Sequence, residues 1–378
     1  MNFLLYGVGF CNKGAELMLC AMVEHLRETF PEAGLVIASK ATSSQLSRYG
    51  LKWTFGARWF RWFGTYLRYV PQCVVPNFNG EFINPKFIDG IIDASGFALS
   101  DQWNKSVGRV KLFQMLHHRG KRIVLLPQAF GPFQKPEIAD YAKSIFSISD
   151  LIFPRDQQSM SFVQPLVDQS EKLHIAPDFT IFVKGVIPDD FPHELYNAVG
   201  ILPNMRMLDK GDSQSKDHYI SILSQGMDYL RQNDIPFFAI CHQPDDNEVL
   251  SMVKATNGID CPVIDEDDAV KIKGILGTCR LLFGSRYHGL LNGLTQGVPC
   301  IATSWSHKYH SLFHEYDCSE YLMTDLSDFS KIKRCFDQLS DPVVYQGVRQ
   351  RIEKYNEIVR GKIKSMWEKV DQMFLTRK

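Results

Sequence analysis

The sequence has 378 residues, of which 45% are hydrophobic, 12% aromatic and 22% charged, a composition typical of a globular protein and not of a disordered chain. This length is too great for one ordinary domain and suits two, each with its own core. The 42 basic residues balance 42 acidic ones, so no net charge attracts nucleic acid, and an anionic ligand must be held by a local cluster.

The cysteines and the amino terminus indicate a compartment. The nine cysteines are scattered, with no CxxC pair and no zinc-like spacing, so a reducing environment is the simpler interpretation. The first residues, MNFLLYGVGF, lack the basic region and the cleavage site of a signal peptide, and no stretch reaches the roughly 18 apolar residues of a membrane-spanning helix. We therefore expect a cytoplasmic protein that does not cross a bilayer.

Short apolar segments bounded by Gly, Pro or Asp alternate along the chain with longer segments of helical period. Predicted strands in the first half lie at residues 3–6, 35–38, 88–92, 123–126 and 151–153. After Pro192 they lie at residues 198–202, 236–241, 281–283 and 300–303. This alternation predicts parallel sheets. Two prolines and a glycine interrupt the pattern at residues 183–194, where we expect the junction between two lobes.

The predicted fold is therefore α/β, with two Rossmann-like lobes that each contain a parallel sheet, arranged as in the GT-B fold with a cleft between them. The first lobe comprises residues 1–188 and is expected to bind an acceptor. The second comprises residues 189–344 and is expected to bind a donor. Residues 345–378 read as one long amphipathic helix that could pack back on the first lobe.

The first strand leads into a glycine-rich loop and a helix, GVGFCNKGAELML. The spacing GxGxxxxG differs from the GxGxxG dinucleotide fingerprint, and Glu16 in the first helical turn would repel a pyrophosphate. A carboxylate and an amide suit sugar hydroxyls better, so we predict that Asn12 and Glu16 bind the acceptor. An equal alternative is that Glu16 only complements the helix dipole.

Two further acidic residues are predicted at strand ends of the first lobe. Asp93 ends the apolar segment FIDGII, and Asp178 lies in APDF. Either could bind the acceptor by orienting or deprotonating a hydroxyl group. An N-cap or Asx-turn role is the favoured alternative for each.

An aromatic and basic segment, RWFRWFGTYLRY, occupies residues 58–69. The charges of Arg58, Arg61 and Arg68 interleave with six aromatic rings, the last of them Tyr69. Such a segment could rest on the inner face of the membrane and present a lipid-linked saccharide. An aromatic helix packed on the sheet, with its arginines reaching solvent, is an equal alternative.

The most informative segment is LLFGSRYHGLLNGLTQGVPCIATSWSHKY, residues 281–309. A buried strand end is followed by Ser285, which we predict to be an N-cap, and the helix is expected to end at a C′ glycine, Gly297. The sequence therefore predicts a tight strand-to-helix corner in the second lobe.

Arg286, Tyr287 and His288 fall in the first turn of that predicted helix. Free backbone N–H groups and the helix dipole favour an anion there, and the guanidinium and the imidazole add charge and donors. Ligands of parallel sheets bind at such corners. Because the dipole disfavours cations at this end of a helix, we favour an anion site over the alternative, in which Arg286 pairs with a surface carboxylate and His288 is a packing residue.

Two other segments follow strands of the second lobe. Arg206, in VGILPNMRM, lies on the same predicted sheet edge and is a second candidate for the anion, although a solvated loop arginine fits the spacing equally well. CHQPDD, residues 241–246, has the residue types of a metal site. It lacks further ligands at usable spacing, so we expect a loop and no metal.

The segment SRYHGLLNGLTQGVPCIA, followed by SWSHKY, resembles the signature of polysaccharide pyruvyl transferases, in which an arginine and a histidine contact phosphoenolpyruvate. The resemblance implies this role for Arg286, Tyr287 and His288, and Arg206 and Lys308 match a further arginine and lysine of the family. A solvated surface lysine is the even alternative for Lys308. Weaker similar segments are GVGFCNKGAELML, LLPQAFGPF, PRDQQS, APDF and ICHQPDDNE.

The resemblance implies an enzyme that forms a pyruvate ketal on a sugar, with phosphoenolpyruvate as co-substrate, no other cofactor, and phosphate as the second product. The acceptor would be a surface polysaccharide of a capsule or exopolysaccharide, or its lipid-linked precursor. We expect Arg286 and Arg206 to clamp the two anionic groups of the donor, and His288 to act as general acid.

Two other functions stay open. A GT-B glycosyltransferase or sugar-nucleotide epimerase would share the architecture, but it needs a base and ribose pocket to which no segment can be assigned. A non-catalytic saccharide-binding protein would keep the fold without the chemistry. The presence of Arg206, Arg286 and His288 together favours an enzyme.

Overall fold

The computed structural model describes residues 1–63, 82–209, 213–304 and 307–376. The chain folds into two compact units. The first consists of Met1–Cys11, Ala15–Thr180 and Gly361–Lys378, and the second of Asn12–Gly14 and Ile181–Arg360. The boundary between the units lies between Thr180 and Ile181, just before the junction expected at residues 183–194. The proline-containing segment at 183–194 therefore belongs to the second unit.

The first unit is built on a six-stranded parallel sheet in the order β3-β2-β1-β4-β5-β6. Its strands are β1 (Asn2–Tyr6), β2 (Gly34–Ile37), β3 (Leu51–Trp53), β4 (Gly90–Asp93), β5 (Arg122–Gln128) and β6 (Leu151–Pro154). Its helices before the boundary are α1 (Lys13–Thr29), α2 (Ser43–Tyr49), α3 (Ala57–Phe63), α4 (Val107–His117), α5 (Pro136–Phe146) and α6 (Gln157–Val163).

The second unit repeats this plan, with a parallel sheet in the order β12-β11-β10-β7-β8-β9. Its strands are β7 (Val199–Leu202), β8 (Phe237–Ile240), β9 (Val263–Ile264), β10 (Leu281–Gly284), β11 (Cys300–Thr303) and β12 (Leu322–Met323). The helices are α7 (Arg206–Asp209), α8 (Ser213–Gln232), α9 (Asp246–Asn257), α10 (Ala269–Thr278), α11 (Tyr287–Leu294), α12 (His307–Glu315), α13 (Ser330–Ser340) and α14 (Pro342–Leu375).

Counted within its own unit, each sheet has the strand order 3-2-1-4-5-6 of the doubly wound Rossmann fold. The direction in which strands are added reverses between β1 and β4 in the first sheet and between β7 and β10 in the second. Ligands of such sheets bind beside the carboxyl ends of the strands at this reversal. The predicted fold class, α/β with two Rossmann-like parallel sheets, is confirmed.

Three strands of the structure were not predicted from the sequence. β3, β9 and β12 are two or three residues long, lie at or towards the edges of their sheets and are partly exposed. Such short strands contain too few residues to show an apolar period. The strands that were predicted are buried and read as continuous apolar runs, as strands of parallel sheets do.

The long carboxyl-terminal helix α14 was placed at residues 345–378 from the sequence and begins three residues earlier, at Pro342. Within the first unit its last turns pack on β1 and α1. The ring of Phe374 lies 4.8 Å from that of Phe3, and Asp371 accepts a hydrogen bond of 3.0 Å from His25. In the ranges that the structure describes, no helix combines the length and apolarity needed to cross a membrane.

Candidate active site

The carboxyl ends of β7 and β10 approach each other closely in the second unit. Gly284 has a φ of +150°, and a Cβ atom at this position would lie 2.2 Å from the carbonyl oxygen of Leu202. Only glycine combines this backbone conformation with this close contact. The next residue, Ser285, donates its N–H to the same carbonyl at 2.9 Å, so the two strand ends stay joined where the chain turns towards α11.

Asp246, the first residue of α9, connects the loops that leave β7 and β8. Its side chain is fully buried and accepts backbone N–H groups from Met205 at 3.0 Å, His242 at 3.1 Å and Gln243 at 3.1 Å. These three donors satisfy a carboxylate that has no access to solvent. In the sequence Asp246 belongs to the metal-like segment CHQPDD, and nothing there indicates its contacts with the loops that follow β7 and β8.

Arg286, which leaves the end of β10, completes the set of donors to this carboxylate. Its Nε lies 2.8 Å from one oxygen of Asp246, and its Nη2 donates to the other oxygen and to Gln243 Oε1 at 3.2 Å. This two-pronged contact fixes the plane of a guanidinium that is only 8% exposed. Towards the described residues Nη1 makes no hydrogen bond. The closest partner of Arg286 is thus the buried carboxylate of Asp246, and the partly exposed carboxylate of Asp245 lies 3.7 Å from Nη2.

The predicted caps of the helix after β10 are wrong. Arg286, not Ser285, is the N-cap residue, with an extended backbone, because the hydroxyl of Ser285 is engaged by Tyr219 at 2.6 Å. The helix ends at Leu294 with Thr295 as its C-cap, and Gly297 lies two residues farther on with a φ of +80°.

Tyr287, His288 and Lys308 are brought together at the first turn of α11. The ring of Tyr287 lies 5.4 Å from that of His288, and the ammonium group of Lys308, in α12, lies 5.0 Å from the centre of the Tyr287 ring. Tyr309 donates to the carbonyl of Ser285 at 2.6 Å, which fixes α12 beside this corner. Four of the five predicted donor-binding residues therefore cluster here.

Arg206 is the fifth predicted donor-binding residue. It is the first residue of α7, which follows β7. Its N–H donates to Asn204 Oδ1 at 3.1 Å, and the side chain of Asn204 donates to the carbonyl of Ser285 at 2.7 Å. The guanidinium itself points to Asp209 at 2.5 Å, and both side chains are about two-fifths exposed. Arg206 directly follows Met205, whose backbone N–H donates to Asp246.

His242 is a further residue of this region, and the sequence indicates a role for it only as part of the metal-like segment CHQPDD. It follows β8, is 6% exposed, and neither ring nitrogen has a hydrogen-bond partner among the described residues. Burial, together with the nearby Arg286 and His288, lowers the pKa of His242 to about 3. The ring packs on α11, where a Cβ at Gly289 would lie 3.0 Å from Cε1 and 3.1 Å from Nε2.

The predicted acceptor residues next to β1 make local contacts. Asn12 accepts the N–H of Gly14 through its side-chain oxygen at 2.9 Å, as residues before a helix do. Glu16 lies in the first turn of α1, is 3% exposed, and accepts a hydrogen bond from Tyr49 at 3.3 Å.

The other two predicted acceptor residues have well-satisfied carboxylates. Asp93 is fully buried at the end of β4, where one oxygen accepts the N–H and hydroxyl of Ser95 and the other is paired with Arg109. Asp178 accepts the N–H and hydroxyl of Thr180 at 3.1 and 2.8 Å. Both carboxylates make the Asx-turn contacts that were the favoured alternative to acceptor binding in the sequence analysis.

Two further predictions concern the metal-like motif and the aromatic segment. In the four described ranges, no three His, Cys, Asp or Glu side chains are arranged to hold a metal ion. Of residues 58–69, the part from residue 64 onward, which includes Arg68 and Tyr69, lies outside the described residues. In the described part, Phe60 is buried, whereas Trp59 and Trp62 are 42% and 74% exposed.

Comparison with known protein families finds a match to the model described as polysaccharide pyruvyl transferase, over residues 12–307. The matched range includes the residues predicted for the donor and the acceptor, except Lys308, which lies one residue beyond its end. A search of curated protein sequences finds no match.

Several solved structures have a similar fold. A putative UDP-N-acetylglucosamine 2-epimerase from Listeria monocytogenes aligns with a TM-score of 0.64 at 12% identity, over 97% of both chains. A UDP-GlcNAc 2-epimerase from Neisseria meningitidis, bound to UDP-GlcNAc, aligns with 0.61 at 10% identity, over 98% of this chain and 99% of that one. Anabaena HepE with UDP-glucose aligns with 0.61 at 12% identity, over 99% of both. At this identity the likeness shows the fold alone, which is GT-B-like.

Proposed function

Because the chain belongs to the polysaccharide pyruvyl transferase family, we propose that it transfers the three-carbon unit of phosphoenolpyruvate to two hydroxyl groups of a sugar. The product is a pyruvate ketal, and phosphate is released. The acceptor is a sugar of a surface polysaccharide or of its lipid-linked precursor. The observation that carries the proposal is the buried Arg286 guanidinium, held in one orientation by Asp246 at the strand reversal of the second sheet.

Orientation is what an arginine needs to recognise a carboxylate or a phosphate. The contacts with Asp246 and Gln243 use Nε and Nη2, so the remaining Nη1 donors are held in a fixed direction and can meet an anion. Since Asp246 and the nearby Asp245, 3.7 Å from Nη2, offset the charge of Arg286, net attraction for an anion has to come from other neighbouring groups. Lys308 and the first turn of α11 supply it.

Arg206 is proposed to bind the second anionic group of the donor. To do so, its guanidinium has to leave Asp209. Exposed ion pairs contribute only about 0 to 1 kcal/mol, so a doubly charged ligand can readily replace this carboxylate. The short α7 and the contact between Asn204 and Ser285 keep its backbone beside the Arg286 loop.

His288 is proposed as the general acid. It would give a proton to the methylene carbon of phosphoenolpyruvate, and one sugar hydroxyl would then add to the neighbouring carbon. The bond from that carbon to the phosphate oxygen breaks, and its electron pair leaves with phosphate. The second hydroxyl closes the ring. Of the two hydroxyl protons, one restores His288 and the other leaves with phosphate, so atoms and charge balance.

For the acceptor, Asn12 and Glu16 remain the proposed contacts. Glu16 accepts a hydrogen bond from Tyr49, and a carboxylate can accept several hydrogen bonds at once. Asp93 and Asp178 were also predicted to bind sugar. Their carboxylates already accept hydrogen bonds from Ser95, Arg109 and Thr180, so we propose Asn12 and Glu16 ahead of them as acceptor contacts.

The direct test is incubation of the protein with phosphoenolpyruvate and a saccharide panel that includes lipid-linked sugars. We expect phosphate release and a product heavier by one pyruvic acid minus one water. His288→Ala is expected to abolish turnover and to retain weakened donor binding, and His288→Gln should not restore activity because an amide cannot donate a proton as an acid. His314→Ala, at the far end of α12, is the matched control. Full activity of the His288 variants would remove His288 from this role.

A sugar-nucleotide reaction is the second candidate, because the similar structures from Neisseria and Anabaena contain UDP-GlcNAc and UDP-glucose. Release of UDP from a UDP-sugar, without phosphate release from phosphoenolpyruvate, would favour it. Binding of phosphoenolpyruvate without turnover on any acceptor would favour the non-catalytic saccharide-binding alternative.

Contact with a lipid surface is part of the proposal. Trp59 and Trp62 expose their rings on α3, and the guanidinium of Arg61 lies 5.7 Å from the centre of the Trp62 ring. Exposed indole and guanidinium groups suit a headgroup interface. Flotation with vesicles of anionic phospholipid is expected to carry the protein upward, and Trp62→Ser should reduce the bound fraction. Equal flotation of the variant would contradict the contact.

A further inference from the structure

His242 is buried in a way that packing alone does not explain. Its side chain is 6% exposed, and within the described residues neither imidazole nitrogen makes a hydrogen bond. The backbone of Ile240 lies near enough to favour the charged ring, but not in hydrogen-bond geometry. A buried polar group without a partner costs about 1 to 3 kcal/mol, and a leucine would fill similar space without that cost.

The imidazole lies against the first turn of α11, where a bound anion could accept its hydrogen bond. Nε2 would lie 3.1 Å from a Cβ at Gly289, in the first turn of the eight-residue helix α11. The backbone N–H groups of that turn point to the same side as the helix amino terminus, where they favour an anion. Gly289 has no side chain, which leaves the ring in contact with the helix backbone.

The backbone of His242 is also fixed relative to the donor residues. Its N–H donates to the same Asp246 oxygen that accepts Nε of Arg286. One carboxylate therefore sets the positions of the guanidinium and of the loop that carries the imidazole. The charges of Arg286 and His288 both act on the imidazole, so the ring lies near two of the proposed donor-binding residues.

We infer that His242 is a further binding residue of this site, whose Nε2 hydrogen-bonds a phosphate or carboxylate oxygen of the bound anionic ligand. The inference rests on the proposed function for the identity of that ligand, but it is stated for the chemical class. The neutral ring donates from Nε2–H, so binding needs no change in the charge of the imidazole. His242 thus acts in binding, and no bond is made or broken on it.

The test uses the full chain and calorimetric titration with phosphoenolpyruvate. His242→Leu is expected to weaken binding about tenfold or more, because a hydrogen bond to a charged group is lost. The same variant should have an unchanged or higher melting temperature, because it removes two unsatisfied buried nitrogens. His242→Gln, whose amide keeps a donor at similar reach, should recover part of the affinity. His174→Leu, a partly buried histidine of the first unit, is the control.

The outcomes separate the inference from the proposed function when UDP is titrated in parallel. Tight binding of phosphoenolpyruvate that His242→Leu leaves within about twofold overturns the inference alone. Binding of UDP and not of phosphoenolpyruvate, weakened about tenfold in the variant, supports the inference and overturns the proposed function. If the wild-type protein binds neither, both are overturned. A lower melting temperature with unchanged affinity would assign His242 to packing and also overturn the inference.

Discussion

Each unit holds a buried aspartate–arginine pair at the carboxyl edge of its sheet, and the two pairs are built in opposite senses. In the first unit the carboxylate of Asp93 ends β4 and the guanidinium of Arg109 lies in the first turn of α4. In the second unit the carboxylate of Asp246 begins α9 and the guanidinium of Arg286 leaves β10.

The surroundings of the two guanidinium groups differ more than the pairs do. Arg109 lies between the rings of Tyr6 and Phe113, each with its centre 5.4 Å away, and it is 2% exposed. Arg286 instead has His242 and the first turn of α11 as neighbours. Each region thus contains buried nitrogen that the described residues leave unsatisfied, at Nε of Arg109 and in the imidazole of His242, but aromatic rings flank the first, whereas the second lies beside a helix amino terminus. A buried ion pair is therefore a poor marker of a site unless its neighbours are considered.

The largest expected effect comes from breaking the pair of the first unit. Arg109→Met should leave Asp93 buried without its charge partner, which costs about 3–5 kcal/mol of unfolding free energy. Urea denaturation followed by circular dichroism measures this loss. Arg122→Met removes an arginine from a partly exposed pair with Asp150 and should cost about 1 kcal/mol or less. Equal losses in the two variants would show that enclosure does not distinguish the Arg109 pair.

The second effect concerns function and not stability. Arg286→Lys keeps a positive charge beside Asp246 but loses the planar two-pronged contact, so the remaining donors are no longer aimed at the anion. We expect kcat/KM for phosphoenolpyruvate to fall about 100-fold, with an unfolding transition close to that of the wild type. Arg280→Lys, at the opposite end of β10, is the control. A near-normal apparent affinity for the donor would argue against the clamp.

The smallest effect is a difference in the pH dependence of stability. An unfolded histidine has a pKa of about 6.5, whereas burial and the nearby Arg286 and His288 lower the pKa of His242 to about 3. Between these values the unfolded chain binds a proton that the native state excludes. The contribution of the neutral ring is therefore complete above about pH 6.5 and is lost as the pH falls, by up to about 1.4 kcal/mol per pH unit.

Denaturation of the wild type and of His242→Leu at about pH 7, 6 and 5 checks this difference. The other ionisable groups near the ring, Asp245, Asp246, Arg286 and His288, are present in both proteins, so the comparison isolates the imidazole. The variant should lose stability more slowly as the pH falls. If the free energy of unfolding falls equally with pH in the two proteins, the ring is protonated in the native state as readily as in the unfolded chain.

The sequence predicted what depends on local pattern. Buried strands such as β1 and β10 follow from apolar runs, and the cluster of Arg286, Tyr287 and His288 follows from its place at a strand-to-helix corner. Partners distant in the chain could not be predicted. The ion pair of Arg286 spans forty residues, and the hydroxyl that displaces Ser285 from its predicted capping role belongs to Tyr219. The proposed binding role of His242 could not be predicted either, since CHQPDD indicates only a metal motif, and an unsatisfied imidazole is recognised by what surrounds it in space.

Gly284 sets a limit on how this region can change by mutation. Even an alanine methyl group there would meet the carbonyl of Leu202 at 2.2 Å, so the two polypeptide segments would have to separate. Arg286 lies only two residues farther along and would shift with them, and a misplacement of about 1 Å at a reacting centre can cost about 100-fold in rate. A saturation library at this codon should therefore return active clones with glycine alone, and efforts to alter donor choice are better directed at other positions.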